Sequence, residues 1–330
     1  MTATKRVPAP LRLLVPLDGS ELAEGALPLA TALARRTRGT VHLLAAHVPE
    51  PSFVVPAAPV AMPEVAREAR EHLARYLVAT AGAVAASSDV QVTWALRDGS
   101  PAVEVDRYTR EHAIDFVVMT THGRSGLSRF WLGSVAEQVL RRVGAPVLLL
   151  RAGQAPIAAL SESARIVVAL DGSEPAEAAL EPAIALGSLA PGATFTLALV
   201  VEPPAPFVVT TGEPAPFPPD WQDSQRRAGK AYLDGLARRL RRRGLEVQAT
   251  VVVGAGVAAR LVALAGELDA SLLVLATRAS SGLDRLLLGS VADKVVRTAV
   301  QPVLVVPPRI AQHTALVEPA RPRGRAGARR

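Results

Sequence analysis

The feature that most constrains this chain is that it repeats itself. The segment LVPLDGSE at Leu14–Glu21 returns as VVALDGSE at Val167–Glu174, and GLSRFWLGSVAEQVLRRVGAPVLLL, starting at Gly126, returns as GLDRLLLGSVADKVVRTAVQPVLVV, starting at Gly282. The spacing is 153 residues for the first pair and 156 for the second. Solenoid repeats recur every 20–50 residues, so spacings this long mean two copies of one whole domain. The 330 residues suit two ordinary cores. The boundaries read as a first domain over 8–151, a polar, Ala-rich linker over 152–162, a second domain over 163–308 and an Arg-rich tail over 309–330.

Each copy alternates strand and helix. In the first, Leu11–Leu17 is an apolar strand, and Asp18-Gly19-Ser20 turns it into a helix with Glu21 and Glu24 near the positive end. Val41–Val48 follows as a strand, Pro63 to about Ala86 as a long helix, and Val90–Leu96 as a third strand. Gly99-Ser100-Pro101 opens the next helix, Asp115–Thr120 is a fourth strand, Ser134–Val143 a helix and Pro146–Leu150 a fifth strand. Strands that are apolar along their whole length belong in a parallel sheet covered on both faces. The expectation is an α/β fold with two open, five-stranded parallel sheets of Rossmann-like order 3-2-1-4-5. In the second copy the stretch from Pro203 to Asp220, PPAPFVVTTGEPAPFPPD, is too rich in proline for regular structure and reads as a surface loop.

Composition narrows the function. Hydrophobic residues make up 49% of the chain, yet there are only three Trp, three Tyr and six Phe, so the cores must be built from Val, Leu, Ile and Ala. The absence of cysteine excludes disulfides, thiolate catalysis and Cys-ligated metal. No apolar run approaches the roughly 18–20 residues of a membrane span, and MTATKRVPAP lacks a signal peptide's apolar stretch, so the reading is a cytoplasmic protein with no membrane partner. Of the net charge of +7, the tail supplies +5 through six Arg against one Glu, which argues against a dedicated nucleic-acid role.

The most informative motif is TTHGRSGLSRFWLGSVA, Thr120–Ala136, between a buried strand and a helix. In an open parallel sheet ligands bind at the carboxyl ends of the strands, and a helix start there offers amide N–H groups to an anion. Gly123, Gly126 and Gly133 allow backbone to approach a polyphosphate and to take positive φ. Ser134-Val-Ala-Glu137 equally fits a capping box that needs no ligand, and both readings stand on the residues alone. His122 has no acid partner or nucleophile beside it in sequence and reads as a loop hydrogen-bonder; His42 and His47 read as packing residues or edge donors. Gly254-Ala-Gly256-Val-Ala-Ala259 imitates a dinucleotide fingerprint but follows the third strand of its copy rather than the first. No GxxxxGK[ST], GxSxG or HExxH is present.

These residues carry a resemblance to the universal stress protein family, in two tandem copies covering nearly everything but the tail. The family's ATP-binding pattern is Gly, two residues, Gly, nine residues, then Gly-Ser or Gly-Thr. Gly123, the nine residues RSGLSRFWL and Gly133-Ser134 reproduce its second half, with Thr120 at the first glycine position. Thr120 would be strained if that position needs positive φ, and would serve if only its backbone is used. The second copy keeps Gly289-Ser290, has Ala276 and Ala279 at both early glycine positions, and has Arg278 in place of His122.

The resemblance implies an ATP site, with Mg2+ accompanying the phosphates. In the first copy it would comprise Pro16, Asp18, Val48, Thr120, Gly123, Arg124, Ser125, Gly133, Ser134 and Val135, and in the second Asp171, Gly289, Ser290 and Val291. Asp18 would meet the ribose or adenine side and the Val48 backbone would meet adenine. The resemblance also implies a nucleotide-responsive regulator of stress tolerance rather than an enzyme. The alternative is a nucleotide-independent scaffold that binds a partner; slow ATP hydrolysis or autophosphorylation at Ser125 or Ser134 is a third reading, for which no activating base is visible. Because family members commonly dimerise through the last strand, Val147–Leu150 and Val303–Val306 are expected to pair within the chain as a pseudo-dimer, with homo-oligomers a further expectation.

Overall fold

A computed structural model describes residues 9–48, 54–55, 58–59, 63–121, 132–151, 163–203, 220–277 and 288–307. The linker, the tail, His122–Trp131, Arg278–Leu287 and nearly all of the Pro-rich connection lie outside the described residues.

The first copy begins with β1 (Arg12–Leu17), whose apolar residues are almost all buried, and turns into α1 (Glu21–Glu24) and α2 (Leu27–Thr37). The one helix expected here is two, because Gly25 closes α1 and Pro28, which has no N–H to donate, stands in the first turn of α2. α2 ends at Arg38 in the left-handed region, and Gly39 follows because a Cβ there would collide with the Leu11 carbonyl. Then come β2 (Thr40–His47), the two-residue strands β3 (Val54–Val55) and β4 (Ala58–Pro59), α3 (Pro63–Ser87), β5 (Gln91–Asp98) and α4 (Pro101–Glu111). The copy closes with β6 (Phe116–Thr120), α5 (Ser134–Arg142) and β7 (Val147–Leu150). The second copy follows as β8 (Arg165–Leu170), α6 (Glu174–Glu177), α7 (Leu180–Gly187), β9 (Thr194–Val201), α8 (Trp221–Arg241), β10 (Glu246–Val253), α9 (Val257–Glu267), β11 (Leu272–Ala276), α10 (Ser290–Thr298) and β12 (Val303–Val306).

One ten-stranded sheet contains both copies, in the order β10-β9-β8-β11-β12-β7-β6-β1-β2-β5. Each half is parallel and has the expected order 3-2-1-4-5. The halves meet through the single antiparallel pair β7–β12, with Leu148 opposite Leu304 and Val147 and Leu149 opposite Val305 and Val303. All four residues of each of these strands are buried, so the pairing covers two edges that would otherwise be apolar and open.

Helices cover both faces of the sheet. On one side the buried cluster joins side chains of α1, α2 and α3 to those of α7 and α8; on the other it joins α4 and α5 to α9 and α10. Each cluster draws on both copies, so packing has no seam at the repeat boundary. Polar contacts also cross it: Arg36 Nη1 donates to the Leu189 carbonyl at 2.9 Å, and Arg297 lies 3.8 Å from Glu137.

Candidate functional site

The strand order reverses at β1 in the first copy and at β8 in the second, and a crevice opens beside each at the carboxyl ends of the strands. In the first copy the β1–β6 ladder pairs Leu13 with Phe116 and Leu14 with Val117 and runs no further, leaving the carboxyl ends apart. Pro16 stands in β1 just past that point and has no N–H to extend it.

The floor of the crevice is built by one turn. Gly19 takes φ +81°, which turns the chain so that the Asp18 carboxylate accepts a hydrogen bond from the Ser20 amide at 3.0 Å and another from the Ser20 hydroxyl. The Ser20 hydroxyl in turn accepts from the Ala23 amide at 3.2 Å and caps α1. Asp18 is thus oriented by the helix-entry turn while it lines the crevice. The second copy repeats the arrangement: Gly172 has φ +84°, Asp171 accepts from Ser173 N at 3.0 Å, and Ser173 caps α6 by accepting from Ala176 N at 3.4 Å.

The opposite wall comes from the end of β6 and the start of α5. Thr121 N donates to the Leu150 carbonyl at 2.8 Å, and Gly133 N donates to the Thr121 carbonyl at 2.7 Å, which brings the first turn of α5 against the strand end. The amides of Ser134, Val135 and Ala136 lie in that first turn, where helix geometry supplies no acceptor, and all three residues line the crevice. Thr120 is the last residue of extended β6, so the glycine-like strain considered for it does not arise.

The capping-box expectation is corrected. Ser134 is the first helical residue and Gly133 the N-cap, with no side-chain cap bond. Gly133 has φ −59° and ψ 146°, so it reaches the cap in extended backbone rather than at positive φ; Gly289 does the same at φ −60° before α10.

The first cavity encloses about 290 Å³ and the second about 350 Å³. The first brings together Pro16, Asp18, Thr120, Gly133, Ser134 and Val135; the second brings together Asp171, Gly289, Ser290 and Val291. Val48 lies beyond the end of β2, is half exposed, and is not among the lining residues. Gly123, Arg124, Ser125, His122, Arg278 and Ala279 lie outside the described residues. Leu44, Ala46, Pro101, Val105 and Met119, with Leu17 and Ala23, add the apolar wall, and in the sequence Leu44, Ala46 and Met119 are apolar strand residues like their neighbours. Pro101 had a usable signal, since it opens a helix at the carboxyl end of the third strand. In the second copy Val200, Val257, Leu261 and Leu275 play this part. The false dinucleotide fingerprint sits at the start of α9, where Gly256, at φ +77°, is the N-cap and its amide donates to Glu202 Oε1 at 2.7 Å.

The histidines of β2 belong to other settings. His42 is buried, with Nδ1 2.9 Å from Thr93 Oγ1 and 3.2 Å from Tyr108 Oη; Tyr108 stacks on His112 at 3.8 Å between ring centres. Burial first, then the nearby His112 and Arg12, lower the His42 pKa to about 4. His47 Nδ1 lies 3.2 Å from Asp98, whose carboxylate also accepts from Arg70 Nε at 2.9 Å. The Arg70 hydrogen bond is the main cause that holds the Asp98 carboxyl below the usual carboxylate range.

Two doubly wound units, each with an apolar crevice at its switch point ending in an oriented carboxylate and a helix start, define a tandem α/β protein with two cavities of like design. The model of the universal stress protein family matches the chain twice, at residues 11–151 and 163–307, and the chain belongs to that family. It is 28% identical over 238 residues to universal stress protein Rv2005c of Mycobacterium tuberculosis, covering 72% of this chain and 76% of that one. With universal stress protein MJ0531 of Methanocaldococcus jannaschii it shares 27% identity over 146 residues, 42% of this chain and 81% of the relative. Among solved structures, a universal stress protein from Archaeoglobus fulgidus has the same tandem fold, with a TM-score of 0.66 over 90% of this chain and 96% of that one at 20% identity. Among the described residues, no helix is long and apolar enough to cross a membrane.

Proposed function

We propose that this chain is an ATP-binding universal stress protein that acts as a nucleotide-responsive regulator of stress tolerance, with one site in each copy and Mg2+ accompanying the phosphates. The observation that carries the reading is the first cavity. It sets an apolar slot of Leu44, Ala46, Val105 and Met119 beside the Asp18 carboxylate and the opening amides of α5. Such a slot suits a purine, a carboxylate accepts two ribose hydroxyls, and helix-start amides suit phosphate. The residues present therefore fit the ligand class that the resemblance implies. Asp171 and the α10 start give the second cavity the same polar ends.

The test is calorimetric titration of the full chain with ATP and Mg2+, together with analysis of nucleotide released on denaturing the purified protein. Two sites are expected, the first the tighter, and Gly123→Val should abolish the first by placing a side chain where backbone must approach phosphate. Wild-type affinity and stoichiometry in Gly123→Val would refute the assignment of that loop. The second reading is a nucleotide-independent scaffold. Ala276, in place of the family's glycine, favours it for the second copy. No released nucleotide and no heat on titration would establish it.

A further inference from the structure

α3 and α8 occupy the same place in the two copies, and each is tied to the short helix after the first strand by a tyrosine: Tyr76 donates to Glu24 at 2.8 Å and Tyr232 to Glu177 at 3.2 Å. Their charges differ sharply. α3 carries Arg67, Arg70 and Arg75 against Glu64, Glu68 and Glu71 and is balanced. From Trp221 to Arg243 the α8 region carries Arg226, Arg227, Lys230, Arg238, Arg239, Arg241, Arg242 and Arg243 against only Asp223 and Asp234. All eight cationic residues are exposed.

Some of this charge is used internally. Arg239 pairs with Glu177 at 2.8 Å, Arg243 pairs with Glu181, and Arg241 Nε donates to the Val247 carbonyl at 2.9 Å. Arg226, Arg227, Arg238 and Arg242 have no ion pair among the described residues. At 3.6 residues per turn, Arg227, Lys230, Asp234, Arg238 and Arg242 fall within about 120° of one another around the helix, a stripe about 23 Å long at 1.5 Å per residue. Its one carboxylate, Asp234, already accepts from Lys230 at 2.6 Å and lies in the field of Arg238 and Arg241. The charge tally of the sequence, dominated by the tail, hides this concentration within the folded part.

The geometry points to α8 as a binding surface for the phosphate backbone of a double-stranded nucleic acid, independent of base sequence. A helix face with this excess of cations over its length matches a polyanion that presents one charge per about 1.7 Å of axis. The helix buries its apolar face, Leu233, Leu236, Ala237 and Leu240, against the sheet, so it has nothing to insert into a lipid bilayer. The stripe carries no aromatic side chain on which unpaired bases could stack, which favours a duplex over a single strand. This surface is independent of the nucleotide reading.

The test is fluorescence anisotropy of a labelled 20-base-pair DNA duplex titrated with the full chain across a salt series. Arg238→Glu with Arg242→Glu should weaken binding at least tenfold and reduce the slope of log affinity against log salt by about 2, with the thermal unfolding midpoint unchanged. The same loss should appear in a chain ending at Pro308, and Arg67→Glu with Arg75→Glu on α3 should leave affinity unchanged. Failure of the wild type to bind the duplex, or equal binding by the α8 variant, would overturn the proposal. So would binding to phosphatidylserine vesicles that is sensitive to the α8 substitutions and tighter than binding to the duplex.

Discussion

The two copies agree closely in the turn that follows the first strand and differ in the layers around it. The turns Asp18-Gly19-Ser20 and Asp171-Gly172-Ser173 match in φ, in the carboxylate's bond to the serine amide at 3.0 Å and in the serine cap. Away from the crevices, positions that correspond by their place in each element have changed chemistry. The third residue of β2 is His42 and that of β9 is Thr196; the eighth residues of α4 and α9 are Tyr108 and Leu264, and their C-caps are His112 and Leu268. A turn that must place a carboxylate has few solutions, whereas a wall that must fill space has many.

The largest test of this correspondence lies at its centre. Leu148→Ala and Leu304→Ala remove partners facing each other across the junction of the copies, and each should cost about 2–5 kcal/mol by urea unfolding. The two losses should agree within about 1 kcal/mol, and each variant should unfold in one transition, because both cores span the copies. Two separate transitions would break the picture of a continuous core.

The next test separates the copies by pH. His42 is held neutral in the fold, with its pKa lowered to about 4 from 6.5, so between these values the unfolded chain binds the extra proton. Stability should therefore fall as pH drops from about 6.5 to 4, by up to about 3 kcal/mol. His42→Thr, which installs the residue found at this point of β9, should flatten that part of the profile. An unchanged profile would mean that His42 is not the group being titrated.

A smaller effect comes from a swapped pair of volumes. At corresponding positions the first copy has Ala34 and Val41, and the second has Gly187 and Phe195. A Cβ on Gly187 would run into the Phe195 ring and lie 2.7 Å from Ile166 Cδ1, so Gly187→Ala should cost about 1–3 kcal/mol. Adding Phe195→Val recreates the first copy's pair and should make the alanine easier to accommodate. The double-mutant cycle measures this coupling, and simple additivity would refute it. Smallest of all, Ser20→Ala and Ser173→Ala should each lower stability by about 1 kcal/mol through the lost cap, and by matching amounts.

Much of the fold was legible because its strands are continuous apolar runs bounded by turns, and because each was written twice. The candidate site was legible where a turn needs a particular backbone, as at Asp18-Gly19-Ser20. It was not legible where apolar side chains serve both core and cavity: Leu44 and Met119 look like any buried strand residue until the sheet parts beside them. The Ser134 cap was misread because a serine three residues before a glutamate satisfies the pattern from either side of a helix boundary, and only backbone angles show that Gly133 is the cap. The α8 stripe escaped because a tally of net charge carries no position.

The β7–β12 pair has a consequence for how this molecule can change. In an assembly of two identical chains, any substitution at the dyad appears on both sides at once, so a change that suits one side is forced on the other. Here the dyad is written in two separate stretches of one gene. Glu137 and Arg141 on α5 correspond to Asp293 and Arg297 on α10, so the same ion pair is made with carboxylates of different length on the two sides. Fusion also makes the encounter of the halves independent of how much protein the cell contains, so a dilute chain assembles as completely as an abundant one.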